Sequence, residues 1–460
     1  MARPCLTLLV LIGTAVLGFF FVQRLHRQNT SGEVIQAQAQ APATPVNEKP
    51  AAPVATEQPR PEPPPREPEP QEATLEGIAK RTAQLRKLDF KNPVEFVPTT
   101  FDDIAQRITE KVQGAMSEEE SRVRPRACVA MGFVRDSFDY RWALSGLRIE
   151  QTGWFYDAGT NKLYVNEVAS LKLPEARGRL VRALMEALLE QNHGIGDPGL
   201  GDGHNSDRAM AAQSVLGGDA QLIQLRFSLS DLLGSEGAGS AGTPPPFYEA
   251  PIYMRERQNF PYDAGRQFQE VLGQRPDSAE AGHLDRVYAR MPVSTAEILH
   301  PEELYFAPEP FVPVDFQWDD LQVAEVDPIE DNVAGELNIR LLMKLVEAPD
   351  VAAEIGHGWR GDRYVVYPGE QEGAGDQVFW RTVWATAEDA ADFARGIQKS
   401  LLFRFSIPAK QKYLTTSGFV VDDPNRPLRV RISADGKTVQ VVIASNERFA
   451  DALEAKFRMP

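Results

Sequence analysis

Four side chains able to bind, donate or accept protons recur along one stretch: Arg182, Glu186, Glu190 and His193. At helical spacing they fall on one face. Arg182 and Glu186 stand i, i+4, the separation of an ion pair. His193, about two turns beyond Glu186, could complete a residual metal pair, although a histidine ending a polar helical face usually has no such role. Just downstream, Asp197, Asp202, His204 and Asp207 crowd a glycine-rich loop. Their order lacks the alternating ligands of an EF-hand loop, so solvated carboxylates are expected there, with Asp207 near a helix start. The same loop spells Gly194-Ile195-Gly196-Asp197-Pro198-Gly199. That GxGxxG string follows a helix rather than a strand, and Pro198 spoils the turn into a helix; it reads as a loop, not a dinucleotide site. No P-loop, no GxSxG and no HExxH occurs in the chain.

The elements that must carry these residues follow from periodicity. Leu180, Leu184, Ala187 and Leu188 make the apolar stripe of a helix over about 175–192. Gly153 to Val165 reads as a hairpin turning at Gly159-Thr160-Asn161. Helices are expected over 75–85, 100–115, 206–233, 262–273, 278–290, 333–346, 387–401 and 446–457, and strands at 94–97, 363–367, 377–385, 411–420, 427–432 and 438–443. Thr100 with Asp103 three places on opens the second of these helices, and Ala434-Asp435-Gly436 turns the last hairpin.

The N-terminus sets the topology. Residues Cys5 to Val22 form an uncharged 18-residue run, long enough as a helix to span a bilayer core. Its end, Gly18-Phe19-Phe20-Phe21-Val22, is a poor cleavage site, so an uncleaved signal-anchor is expected, with cleavage as the alternative. Arg3 before it and Arg24 and Arg27 after it leave both orientations open. From Ala41 to Pro70 there are eleven prolines among Gln, Glu and Ala. Such a stretch buries no core and favours extended polyproline II, a spacer holding a domain off a membrane. Of two cysteines, Cys5 lies in the apolar run, so Cys128 has no intrachain partner beyond it and reads as a small core residue. The net charge of -16 and the lack of a Lys/Arg-dense stretch exclude an ordinary nucleic-acid binder.

Six spaced segments belong together: Gly153-Trp154-Phe155-Tyr156-Asp157, Ala187-Leu188-Leu189-Glu190-Gln191, Gly218-Asp219-Ala220, Pro261-Tyr262-Asp263-Ala264-Gly265, Ser294-Thr295-Ala296-Glu297-Ile298-Leu299-His300-Pro301 and Gly358-Trp359-Arg360-Gly361-Asp362-Arg363. In this order the chain resembles bacterial zincin-like metallopeptidases over about residues 76–400. Such proteins carry an HExxH helix and a downstream EGDA-type helix. The resemblance implies a helix pair holding zinc, with two histidines and a distant glutamate as ligands and a glutamate as general base. Matching Ala187-Leu188 to the family's Ala-Leu sets the register. The first histidine is then Arg182, the base is Ala183, the second histidine is Glu186, and the EGDA glutamate is Gly217, two places before Asp219. His300-Pro301 and the Gly358–Arg363 segment are expected to be structural, so that Arg360-Gly361-Asp362 is packed rather than displayed.

The expected fold is α+β: a zincin-like helical core over 75–315 and a mixed α/β portion over 316–460, after a transmembrane segment at 1–27 and a linker at 28–74. The portion after 316 could be a domain of its own or part of one unit. The degenerate site comprises Arg182, Ala183, Glu186, His193, Gly217 and Asp219, with no metal, no cofactor and no catalytic residue. An Arg182–Glu186 pair is expected to stand in for the metal, with Gly217 making room for the arginine; simple exposed helix residues are the alternative. The expected function is an inactive, peptide- or protein-binding module anchored in the inner membrane, facing the periplasm or the cell exterior. Its expected partners are the bilayer, through the N-terminal helix, and a peptide or envelope protein. An active hydrolase with a relocated metal site and a purely structural envelope protein are the two alternatives.

Overall fold

The computed structural model describes residues 74–459 apart from short stretches, the longest being 235–246 and 276–282. The apolar run of residues 5–22 and the proline-rich stretch of 41–70 lie outside the described residues. Among the described residues, no helix is long and apolar enough to cross a membrane. Pro68 to Pro460 cluster as one unit, and its architecture is α+β.

The first half builds a small sheet on a helical stack. Helix α1 (Leu75–Arg86) is capped by the Thr74 side chain, which accepts from the Gly77 amide. Strands β1 (Glu95–Thr99), β2 (Trp154–Asp157) and β3 (Lys162–Asn166) run in the order β1-β3-β2, with β1 parallel to β3 and β2 antiparallel to it. Inward-pointing Trp154 and Tyr156 pair with Val165 and Leu163. All four share a core with Leu180, Leu184 and Leu188 of α5 (Pro174–His193). The sheet therefore lies on the predicted apolar stripe. Gly194 closes α5 at φ +63°, a left-handed position that glycine adopts without strain.

Helix α2 (Phe101–Ala115) begins at the predicted Thr100 cap. Among the helices that escape the periodicity reading are α3 (Glu118–Met131) and α4 (Tyr140–Gln151). Pro125 inside α3 hides its period, although Ser117 and Glu120 form a capping box that announces it. Helix α6 (Ser206–Gly234) shows no apolar face because it is central: it packs against α1, α5 and α7 (Ile252–Gln274). Helix α7 starts well before the expected position and runs through Pro261. The α6–α7 crossing is unusually close. A Cβ on Gly218 would stand 2.1 Å from the Gly265 carbonyl carbon, and one on Gly265 would stand 2.0 Å from the Ser214 oxygen.

Beyond α7 come a 3-10 turn (His283–Asp285), short helices α8 (Arg286–Ala289) and α9 (Thr295–Leu299), and a π turn over Pro301–Tyr305. The helix expected over 278–290 is thus reduced, within the described residues, to α8 and its 3-10 lead. The helix expected over 333–346 is α10 (Gly335–Met343); α11 (Pro349–His357), opened by Pro349 at its first turn, follows it and was not expected.

The chain closes with a seven-stranded antiparallel sheet. Its strands are β4 (Glu330–Asn332), β5 (Trp359–Tyr367), β6 (Gln377–Trp384), β7 (Lys412–Thr415), β8 (Gly418–Val421), β9 (Leu428–Ile432) and β10 (Thr438–Ile443), in the order β4-β5-β6-β10-β9-β8-β7. The single strand expected over 411–420 is the β7–β8 hairpin. Both faces are covered, which is why β10 is buried along its whole length. Phe449 and Leu453 of α13 (Glu447–Lys456) pack one face with Phe379 and Val442, while Phe393 and Ile397 of α12 (Ala387–Phe405) pack the other. That second core also contains Val112, Met131 and Leu147, so residues on both sides of position 316 share it.

Candidate functional site

Strand β2 and helices α2, α4, α5, α6 and α7 border a cavity of about 330 Å³. Its wall includes Trp154, Phe155 and Tyr156 of β2, Arg182 and Glu186 of α5, Gly217 of α6 and Tyr262 of α7. Side chains alternate along a strand, so three successive β2 residues on one wall mean that the strand's edge borders the cavity. Strand β2 is an edge of its sheet, with one ladder of backbone groups left unpaired by β3.

Glu186 projects into this space. Protein atoms ring it, yet the side chain is exposed to the cavity. Burial pushes its carboxyl above the usual carboxylate range, and Lys111, Arg148 and Arg182 pull it back. Among the described residues, none makes a hydrogen bond or ion pair with that carboxylate.

Arg182 does not pair with Glu186 as its spacing predicts. Its Nε donates to Gln224 Oε1 at 3.2 Å and its Nη2 to Gln221 Oε1 at 2.8 Å. The guanidinium lies over the Tyr262 ring, 4.4 Å from its centroid. Two amide acceptors on α6 and an aromatic face together outcompete one carboxylate that water can solvate. Gly217 is explained by packing rather than by room for Arg182: a Cβ there would come within 3.0 Å of Pro261 Cβ and 3.1 Å of its carbonyl. Ala183 is 5% exposed and belongs to the core under the small sheet. A guanidinium, a methyl, one carboxylate and a glycine do not fit a divalent metal at these positions.

The glycine-rich loop is pinned at the cavity mouth. Arg148 donates to both Asp197 oxygens, Lys111 lies 3.6 Å from Asp197, and Glu190 accepts from the Gly196 amide at 2.8 Å. Asp202 lies outside the described residues.

His193 and Asp219 line no part of the cavity; they meet in a second, buried cluster. Asp219 accepts from Arg86 Nε at 2.8 Å and from the Tyr288 hydroxyl at 2.9 Å, and Arg86 Nη2 reaches Asp285 at 2.6 Å. The His193 ring stacks on Tyr288 at 3.9 Å, and its Nε2 stands 3.7 Å from Asp285. Burial raises the Asp219 carboxyl while Arg86 opposes that rise; burial also works against the Arg86 charge, but Asp219, Tyr288 and Asp285 outweigh it. The guanidinium keeps its proton at any ordinary pH. Burial lowers His193. Arg86, Asp285 and Tyr288 escaped the sequence reading because nothing local marks them: Arg86 is 133 and 199 positions from Asp219 and Asp285, and Tyr288 is 69 from Asp219.

The loop acid Asp207 is not solvated, contrary to expectation. It is 2% exposed and accepts from the Thr295 amide at 3.1 Å and from the Thr295 hydroxyl. Burial pushes its carboxyl up to about 8. Asp362 of the Arg-Gly-Asp string is also buried. It accepts from the Ala334 and Gly335 amides at the start of α10 and from the Trp359 and Trp380 indoles, each at 2.9 Å. Cys128 lines a separate cavity of about 70 Å³, and burial pushes its thiol up to about 12.

Residues 323–454 match a family model described as Domain of unknown function (DUF8575). The match takes in the seven-stranded sheet with its helices, while the cavity-lining residues precede it. No curated protein and no solved structure matches the chain.

Proposed function

We propose that this protein is a membrane-anchored, extracytoplasmic binding module, built on a zincin-like helix pair without catalysis at the zinc position, that takes an extended peptide into the β2 cleft. The single observation that carries this reading is that a strand edge and a carboxylate, both without a partner among the described residues, face one cavity. Edge strand β2 offers backbone donors and acceptors along the cavity, and Glu186 faces the same space with no partner among the described residues. An added peptide strand would bond β2 through its main chain and leave alternate side chains for the cleft. A cationic or amide group on one of them would pair with Glu186. The aromatic wall of Trp154, Phe155 and Tyr262 suits the apolar part of such a ligand.

The zincin-like relation rests on the order and spacing of the six sequence segments. Support for the anchor is the charge-free run of residues 5–22 and the proline-rich spacer behind it. The test is selection from a phage-displayed random-peptide library on the full-length protein, with Glu186→Lys as the comparison. Enriched peptides that bind the wild type and lose at least about tenfold affinity in Glu186→Lys support the reading, a loss of about 1.4 kcal/mol. No enrichment, or equal binding to both proteins, overturns it.

A further inference from the structure

Away from the cleft, a second constellation has the donor set of a metal site. We propose that His300, Glu303 and His357 bind one borderline divalent cation of the zinc type, clamping the turn after α9 to the end of α11. One ligand atom from each of the three lies within 4.8 Å of the other two. The two imidazole rings are 4.3 Å apart, and His357 Nε2 lies 2.8 Å from a Glu303 oxygen. None of the three lines the cleft.

The geometry needs little adjustment. Ligand atoms about 2.0–2.1 Å from a tetrahedral zinc stand about 3.4 Å from one another. His357 and Glu303 are 47% and 59% exposed, so both side chains have room to close that gap. His300 is the fixed member. Its Nε2 is 2.8 Å from Oε1 of Glu336, a carboxylate with no exposure. A cation on Nδ1 would put the ring proton on Nε2, where the Glu336 carboxylate stands ready to accept it. Arg340 Nη2, 3.0 Å from the same nitrogen, also pairs with Glu336 and balances that buried charge. A buried carboxylate fixing the tautomer of a ligand histidine is the outer-shell arrangement of zinc sites.

The chemistry selects the cation class. Two neutral imidazoles and one carboxylate suit zinc, cobalt or nickel; calcium and magnesium prefer all-oxygen sets. Three protein ligands leave a fourth position for water or a group from a partner. The attachment points are far apart in sequence, 54 residues between Glu303 and His357. A bound ion would therefore stiffen the join between the π turn and α11.

The experiment titrates zinc chloride into full-length protein stripped with a chelator, read by calorimetry. Cobalt(II) replaces zinc in a parallel visible-spectrum titration, which reports nitrogen and oxygen ligands directly. Wild type is expected to take up one equivalent. His357→Ala and Glu303→Gln should each weaken uptake at least about tenfold, while His204→Ala, at another exposed histidine, should not. Zinc should also raise the urea midpoint of wild type and leave that of His357→Ala unchanged. His357 is a surface side chain, and equal midpoints of the stripped proteins would establish that the variant folds. No saturable uptake by wild type, or equal uptake by wild type and His357→Ala, overturns the proposal.

Discussion

Asp219→Ala removes the anionic partner of Arg86 from a site without solvent. The side chains are 0% and 1% exposed, so water and salt screen almost nothing. Breaking a buried pair by deleting one partner costs about 3–5 kcal/mol, because the remaining charge stays desolvated. Asp285 still contacts Arg86, and at 32% exposure it can draw in water, which favours the lower end of that range. The Tyr288 hydroxyl also loses its acceptor, worth about 1 kcal/mol. The expected loss is therefore about 3–4 kcal/mol. Urea denaturation of the full-length protein measures it through tryptophan fluorescence, since all six tryptophans lie between Trp142 and Trp384. A second variant, Arg86→Met, and the double variant complete a cycle. The double variant should be more stable than the sum of the single losses by at least about 2 kcal/mol, because an apolar pair leaves no orphan charge. An Asp219→Ala loss below about 1 kcal/mol, or singles that simply add, would refute the reasoning.

Three further outcomes follow from packing and burial. Gly218→Ala should destabilise by about 2–3 kcal/mol, since its Cβ would meet the Gly265 backbone at 2.1 Å, whereas Gly114→Ala, with open space around it, should be neutral or slightly stabilising in the same assay. Asp207 has a folded pKa of about 8. An ordinary unfolded aspartate titrates near about 3.9. Its contribution is thus fully present below the unfolded value and lost as pH rises through the folded one, at about 1.4 kcal/mol per pH unit between them. The difference in stability between wild type and Asp207→Asn should shrink or reverse as pH rises from about 5 to 8, and a difference independent of pH would contradict the assignment. Cys128, with its thiol pushed to about 12, should resist iodoacetamide in the native protein and react after urea treatment, as peptide mass spectrometry would show; rapid native labelling would contradict that.

Much of the fold is written locally. The Thr100 cap, the Gly159–Asn161 turn and the stripe of Leu180, Leu184 and Leu188 each encode their element within a few residues, and the structure has them there. The losses have local causes too. Pro125 masks α3, and Pro261 suggests a boundary that α7 ignores because Gly217 and Gly218 let α6 close over it. The candidate site was legible only in part. Spacing correctly brings Arg182 and Glu186 to one cavity wall, but an i, i+4 rule cannot see Gln221, Gln224 and Tyr262 arriving from other helices. His193 shares a helix with Glu186 yet turns to Tyr288, a partner 95 positions along the chain. Asp207 looked like a loop acid because nothing before position 295 reveals the hydroxyl and amide that bury it.

The central claim is that β2 receives an extended chain over Glu186. Backbone amide exchange of the full-length protein, with and without a peptide enriched on the wild type, tests it most directly. Slowed exchange confined to residues 154–157 and the neighbouring cleft, and absent in Glu186→Lys, is the predicted result. Bound peptide that leaves the exchange of Trp154–Asp157 unchanged would contradict it.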